Sequence, residues 1–123
     1  GGDIFMKTSE HKLVGVYAGN SPLTGRLAIE IQPSEMPLGI CTSSGTVGRS
    51  LSLGEADAVI VLSHSTPLAD AAATRIGNIV KEKSDISGAI QLASELKGIK
   101  GVVIIKDDEM GLWGEVKISS ANL

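Results

Sequence analysis

The hydrophobic period of this chain changes twice, and the order of those changes restricts its fold more than any single motif does. Through the first 64 residues the apolar positions alternate and are rich in β-branched side chains, between glycine-containing turns, which is the pattern of strands. Strands are expected over Asp3 to Lys7, Lys12 to Ala18, Arg26 to Ile31, Leu38 to Thr42 and Asp57 to Ser63, with turns at Gly19-Asn20-Ser21-Pro22 and Gln32-Pro33-Ser34. The period then lengthens. Thr66 is a suitable N-cap and Pro67 a suitable first helical residue, so a helix is expected from Thr66 to about Lys83. Its apolar stripe is Leu68, Ala72, Ile76 and Ile79, with Asp70, Thr74 and Asn78 on another face. A second helix, capped by Ser84 or Asp85, carries Ile86, Ala89, Ile90, Ala93 and Leu96 at helical spacing and stops at Gly98. The unbroken run Gly101-Val102-Val103-Ile104-Ile105 predicts a buried strand, and Gly111 to Ile118 another, joined by a polar turn at Asp107-Asp108-Glu109. Short connections favour antiparallel neighbours. The whole is a single α+β domain over residues 1–123, a largely antiparallel sheet with two consecutive helices on one face.

Composition narrows the function. A chain of 123 residues buries roughly two thirds of its unfolded surface, enough for independent folding. No apolar run approaches the ~18–20 residues of a membrane span. The net charge of -3 and the scattered lysines and arginines argue against a nucleic-acid backbone as partner. Phe5, Tyr17 and Trp113 are too few for a base-stacking platform. A single cysteine excludes an internal disulfide and suits a reducing, cytoplasmic setting. The first residues, Gly1-Gly2-Asp3-Ile4, lack the charged and apolar regions of a targeting peptide, and read as a tag scar or as the new end of a cut chain.

Three segments carry candidate chemistry. Asp70 and Thr74 stand four residues apart on a helix rich in alanine, so a carboxylate and a hydroxyl can converge on a divalent cation. The plainer alternative has Thr74 bonding back to the Asp70 carbonyl. The loop Cys41 to Ser50 is dense in hydroxyls and glycine and can cradle a phosphate, though it has neither Walker nor dinucleotide spacing. Cys41 is a candidate nucleophile or sulfur carrier if a base or helix N-terminus lowers its pKa, and otherwise an inert core thiol. His11 and His64 have no ligand partner at zinc spacing, and Asp107 to Glu109 reads as a solvated turn.

Gly1-Gly2-Asp3-Ile4, Thr42-Ser43-Ser44-Gly45 and Ala69-Asp70-Ala71-Ala72-Ala73-Thr74 occur in the order of three motifs of the ApbE-like superfamily, which this chain resembles. Its best-known members are magnesium-dependent FAD:protein FMN transferases, and the run Cys41 to Asp57 looks closer to an uncharacterised ApbE-like branch of archaea and bacteria. The resemblance implies magnesium at Asp70 and Thr74, and FAD or another nucleotide against Gly1, Gly2, Asp3, Ser43, Ser44 and Gly45. Where the transferases carry a His-Ile-Ile-Asp-Pro segment, Arg49-Ser50-Leu51-Ser52-Leu53-Gly54 stands here. That departure keeps two other readings beside the enzyme: a non-catalytic binding protein, and thiol-based sulfur or acyl transfer through Cys41. The resemblance further implies that this is the C-terminal fragment of a longer chain. An N-terminal half docked as a separate cleaved chain, and homo-oligomers formed through open strand edges, are expected partners.

Overall fold

Residues 2–46 and 54–122 are described by the computed structural model. They form eight strands and two α-helices: β1 (Gly2–Met6), β2 (Lys12–Gly15), β3 (Leu27–Ile31), β4 (Leu38–Ser43), β5 (Ala58–Ser63), α1 (Thr66–Asn78), α2 (Ile86–Glu95), β6 (Gly101–Lys106), β7 (Glu109–Gly114) and β8 (Lys117–Ser120). The strands make two antiparallel sheets, one of five strands in the order β1-β4-β5-β6-β7 and one of three in the order β2-β3-β8. The expected α+β class is the observed one.

The larger sheet is the middle layer, and its two central strands read as continuous apolar runs because both of their faces are covered. Val59 and Val61 of β5, with Val102 and Ile104 of β6, pack under the helices. Their neighbours Ala58, Ile60, Leu62, Val103 and Ile105 pack against the smaller sheet. The same alternation divides β4, where Cys41 faces the helices and Leu38 and Ile40 face the second sheet.

Helix α1 begins one residue earlier in its capping scheme than the sequence suggests. The N-cap is Ser65, whose hydroxyl accepts from the Leu68 amide at 3.3 Å, and Thr66 is already helical. The helix also stops at Asn78, short of Lys83. The Ile79 and Val80 amides bond three residues back, to Ile76 and Gly77, and the buried Val80 turns its carbonyl to the Glu55 amide at 2.7 Å. The next amides, of Lys81 and Glu82, donate to the Asp85 carboxylate at 2.9 and 3.0 Å, so a side chain replaces the helical bonds. These two amides hold the Asp85 carboxyl below its ordinary value.

The buried face of α1 is rotated toward its alanines. Ala69, Ala72, Ala73, Ile76 and Gly77 are covered, whereas Leu68 and Ile79, expected in the core, are exposed. The cause is close approach: a Cβ on Gly39 of β4 would lie 2.5 Å from Thr66 Oγ1 and 2.7 Å from Thr66 Cα. With a helix so near its sheet, alanine fits between them and leucine is displaced to the flank.

The expected single strand from Gly111 to Ile118 is two strands in different sheets. Gly114, at φ +81°, breaks the run, and Val116 bonds back to the Gly114 carbonyl at 3.1 Å. β7 therefore pairs with β6, and β8 crosses to pair with β3. Positive φ is ordinary for glycine, so the switch occurs without backbone strain. Among the described residues no helix is long and apolar enough to cross a membrane.

Candidate functional site

Among the described residues β1 and β2 are edge strands, one from each sheet, and between them opens a cleft of about 350 Å³. Its apolar wall comes from Ile4, Val14, Ile40 and Ile60. Polar groups reach it from Thr42, Ser44, Tyr17 and Asp57. Strand alternation explains the composition of the β4 side: Ile40 and Thr42 point the same way, toward the second sheet, while Cys41 points away.

Asp57 organises one end of this cleft. It is only 7% exposed, and both of its oxygens are engaged. Oδ1 accepts from the Thr46 hydroxyl at 2.9 Å and Oδ2 from the Asp107 amide at 2.7 Å. Asp107 sits at φ 55° in the β6–β7 turn, and its carbonyl accepts from the Ser21 hydroxyl. One carboxylate thus ties the Ser44–Thr46 loop to the hairpin turn and, through it, to the loop after β2.

The residues expected to bind a cofactor do not all converge. Gly2 and Ser44 stand at the cleft wall, and Asp3 adjoins it through its backbone while its carboxylate turns to Cys41 on the helix-covered face. Ser43 is buried and pairs with Val59, which places it on the helix-covered face. The Gly45 amide, expected to face an anion, donates to the Ala56 carbonyl at 2.9 Å, and the Thr46 amide donates to the Ser44 hydroxyl at 3.1 Å. Gly1 and the stretch 47–53, including Arg49 and Ser50, lie outside the described residues.

Asp70 and Thr74 are exposed on α1, on the other side of the larger sheet from the cleft. The Thr74 hydroxyl donates to the Asp70 carbonyl oxygen at 3.3 Å, the back-bonding arrangement. Among the described residues no three His, Cys, Asp or Glu side chains come together as a metal site. Magnesium takes near-octahedral oxygen coordination, so a carboxylate and a hydroxyl here would leave most positions to water or to a ligand phosphate.

Cys41 is fully buried, with Sγ 3.4 Å from the Thr66 carbonyl oxygen. Burial, reinforced by the carboxylates of Asp3 and Asp70, pushes the thiol up to about 12, opposite to the shift that makes a nucleophile. His64 Nδ1 lies 2.8 Å from the Pro37 carbonyl. Asp108, in the acidic turn, pairs with Lys83 at 2.7 Å.

Sequence reasoning passed over Asp57, Tyr17, Ile4 and Val14. For Asp57 a signal existed, an acidic residue set between Ala56 and the apolar run of β5, where burial is the default and a carboxylate needs partners. For the other three there was none, because the cleft is made by two strands that do not pair with one another.

Comparison with known proteins gives related sequences. A family model described as AbpE bacteria matches residues 1–111. The UPF0280 protein of Methanocella arvoryzae is 43% identical over 116 residues, 94% of this chain and 47% of that protein. UPF0280 protein MJ1526 of Methanocaldococcus jannaschii is 40% identical over 121 residues, 94% of this chain and 50% of its own length. The UPF0280 protein of Methanosarcina acetivorans is 42% identical over 125 residues, all of this chain and 49% of that protein. The chain thus spans about half the length of the curated relatives it matches. These findings correct the affiliation drawn from the three short motifs, since the matches run to AbpE bacteria and UPF0280 and nothing in them points to an ApbE-like FMN transferase. Three motifs of a few small residues each are weaker grounds than identity over nearly the whole chain. Matched over all but its last residues, the chain belongs to the family described as AbpE bacteria.

Proposed function

We propose that this chain binds a small molecule with a flat ring system, of nucleotide or flavin class, in the cleft between the β1 and β2 edges. The observation that carries the reading is the cleft itself: about 350 Å³, walled by aliphatic side chains, with the hydroxyls of Thr42, Ser44 and Tyr17 beside them. That size lies at the small end of the range for ligand pockets, roughly 300–1,000 Å³, and the mixture of apolar faces with a few polar groups is their usual composition. Ile4 and Val14 suit the faces of a ring, and the hydroxyls suit its polar edge. The role is binding rather than reaction at Cys41, whose thiol is protonated and faces the helices. Magnesium accompanying a phosphate-bearing ligand in this cleft would take its oxygens from phosphate and water, because Asp70 and Thr74 lie on the other side of the larger sheet.

Calorimetric titration with FMN, FAD and ADP, each with and without Mg²⁺, tests the reading. Tyr17→Ala and Thr42→Val should each weaken binding about fivefold or more, as expected for losing a stacking face or a hydrogen bond worth ~1 kcal/mol. Asp70→Ala should leave binding in the cleft unchanged, with or without Mg²⁺. Absence of binding by all three ligands, or binding indifferent to Tyr17 and Thr42, refutes the assignment.

A further inference from the structure

We propose, resting on the reading of the cleft just given, that Asp57 selects its ligand, and that the ring it takes presents two adjacent N–H donors, as the edge of a guanine base does. Asp57 lines the cleft and is 7% exposed, so little of its carboxylate meets open water. The partners it has are neutral: the Thr46 hydroxyl on Oδ1 at 2.9 Å and the Asp107 amide on Oδ2 at 2.7 Å. Among the described residues the basic side chains in ion pairs all face other carboxylates, those of Glu10, Glu30, Glu35, Asp108 and Glu115. A carboxylate at the wall of an apolar cavity is costly unless it is paired or well supplied with hydrogen bonds. A carboxylate offers about four lone-pair sites, so one protein donor on each oxygen leaves each able to accept another.

The distribution of these bonds decides the kind of ligand edge. Thr46 and Asp107 hold one oxygen each, so the carboxyl group is fixed in place while neither oxygen is saturated. A ligand with paired donors engages both oxygens together, and such charge-assisted, bidentate contacts are the strong ones. Guanine carries its N1–H beside its 2-amino group, two donors in a row. Adenine sets its amino group beside a ring-nitrogen acceptor, and a flavin sets its ring N–H between two carbonyls, so each brings an acceptor against the carboxylate. A metal ion as counter-charge would call for further acidic ligands, and among the described residues no three His, Cys, Asp or Glu side chains come together. The aliphatic wall of Ile4, Val14, Ile40 and Ile60 covers the ring and lowers the local dielectric, which strengthens the bonds made to Asp57.

Calorimetric titration with GMP and IMP, which differ only in the 2-amino group, tests this. GMP should bind about tenfold or more tightly than IMP, and more tightly than AMP or FMN, as one hydrogen bond to a charged group predicts. In Asp57→Asn the side-chain oxygen can still accept from Asp107, while the new N–H group turns a hydrogen toward the ligand's own donors. The ratio of GMP to IMP affinity should then fall to within about twofold of one. Reduced stability alone would weaken both nucleotides alike and keep the ratio, so the ratio separates selection from support. The variant is titrated well below its melting temperature, with circular dichroism showing it folded. GMP bound no more tightly than IMP overturns the proposal and leaves the cleft reading in place. So does a preference that Asp57→Asn leaves intact, or a folded variant that loses both nucleotides alike. Binding of none of GMP, IMP, AMP and FMN overturns the proposal and the cleft reading together.

Discussion

Replacing Asp57 with alanine should destabilise the fold by about 2–3 kcal/mol, and the estimate follows from what its two oxygens hold. Oδ2 is the acceptor for the Asp107 amide and Oδ1 for the Thr46 hydroxyl, in a site where Asp57 is only 7% exposed. The amide cannot reverse its role, so losing its acceptor costs the desolvation of an N–H group, roughly 1–3 kcal/mol. The hydroxyl can turn to water or to Ser44, 3.5 Å away, and its loss adds less. At about 4 °C per kcal/mol for a chain of this size, the melting temperature should fall by about 8–12 °C. Asp57→Asn should be milder, about 1 kcal/mol, because the amide oxygen can still accept from Asp107 while its N–H donates to a reversed Thr46 hydroxyl. Calorimetry or circular dichroism reads both. The order wild type, Asn, Ala is the diagnostic result. A fall below about 2 °C for the alanine variant, or an asparagine variant as unstable as the alanine one, would refute the account of Asp57 as a two-armed tie.

Further outcomes can be checked with similar means. Gly39→Ala should destabilise through the 2.5 Å approach to Thr66 Oγ1 and the 2.7 Å approach to Thr66 Cα, by about 1–3 kcal/mol in denaturant titration, since the helix must lift off β4. Cys41 should resist alkylation at neutral pH until the protein unfolds. Its folded pKa of about 12 lies above the ordinary value of 9.0, so the folded state retains the proton that the unfolded chain loses. Stability should therefore decline between pH 9 and 12, and Cys41→Ala should remove that part of the alkaline slope. Asp85 has the opposite sign: its folded pKa is lowered by the Lys81 and Glu82 amides, so its contribution is present above the unfolded value and lost as pH falls through the folded one. Asp85→Ala should flatten the acid limb of a pH–melting curve.

Much of the fold could be read from periodicity where one influence dominated. β5 and β6 were legible because residues covered on both faces must be apolar throughout. The rotation of α1 was not, since it depends on Gly39, a residue on another element that sets how near the helix lies. Nor was the break at Gly114, because Gly111 to Ile118 satisfies a strand pattern whichever sheet receives it. The site divides along the same line. Thr42 and Ser44, beside the end of β4, reach the cleft as loop-end hydroxyls often do, while Asp70 and Thr74 share a helical spacing that the Thr74 hydroxyl satisfies locally. Asp57 had a role that only its distant partner, Asp107, reveals.

The crossing of β8 to the smaller sheet also bears on the order in which the molecule can be built. Leu27 pairs with Ser120 and Glu30 with Lys117, so one flank of β3 waits for a partner made at the far end of the chain. The five strands of the larger sheet and both helices are all synthesised before that partner exists. A nascent chain that has emerged only through β7 therefore has its helical core available, while Ile40, Ile60 and Val103 on the opposite face are screened by the β2–β3 pair alone. That half-covered face is where a chaperone would meet the emerging protein, and where crowded copies would first adhere.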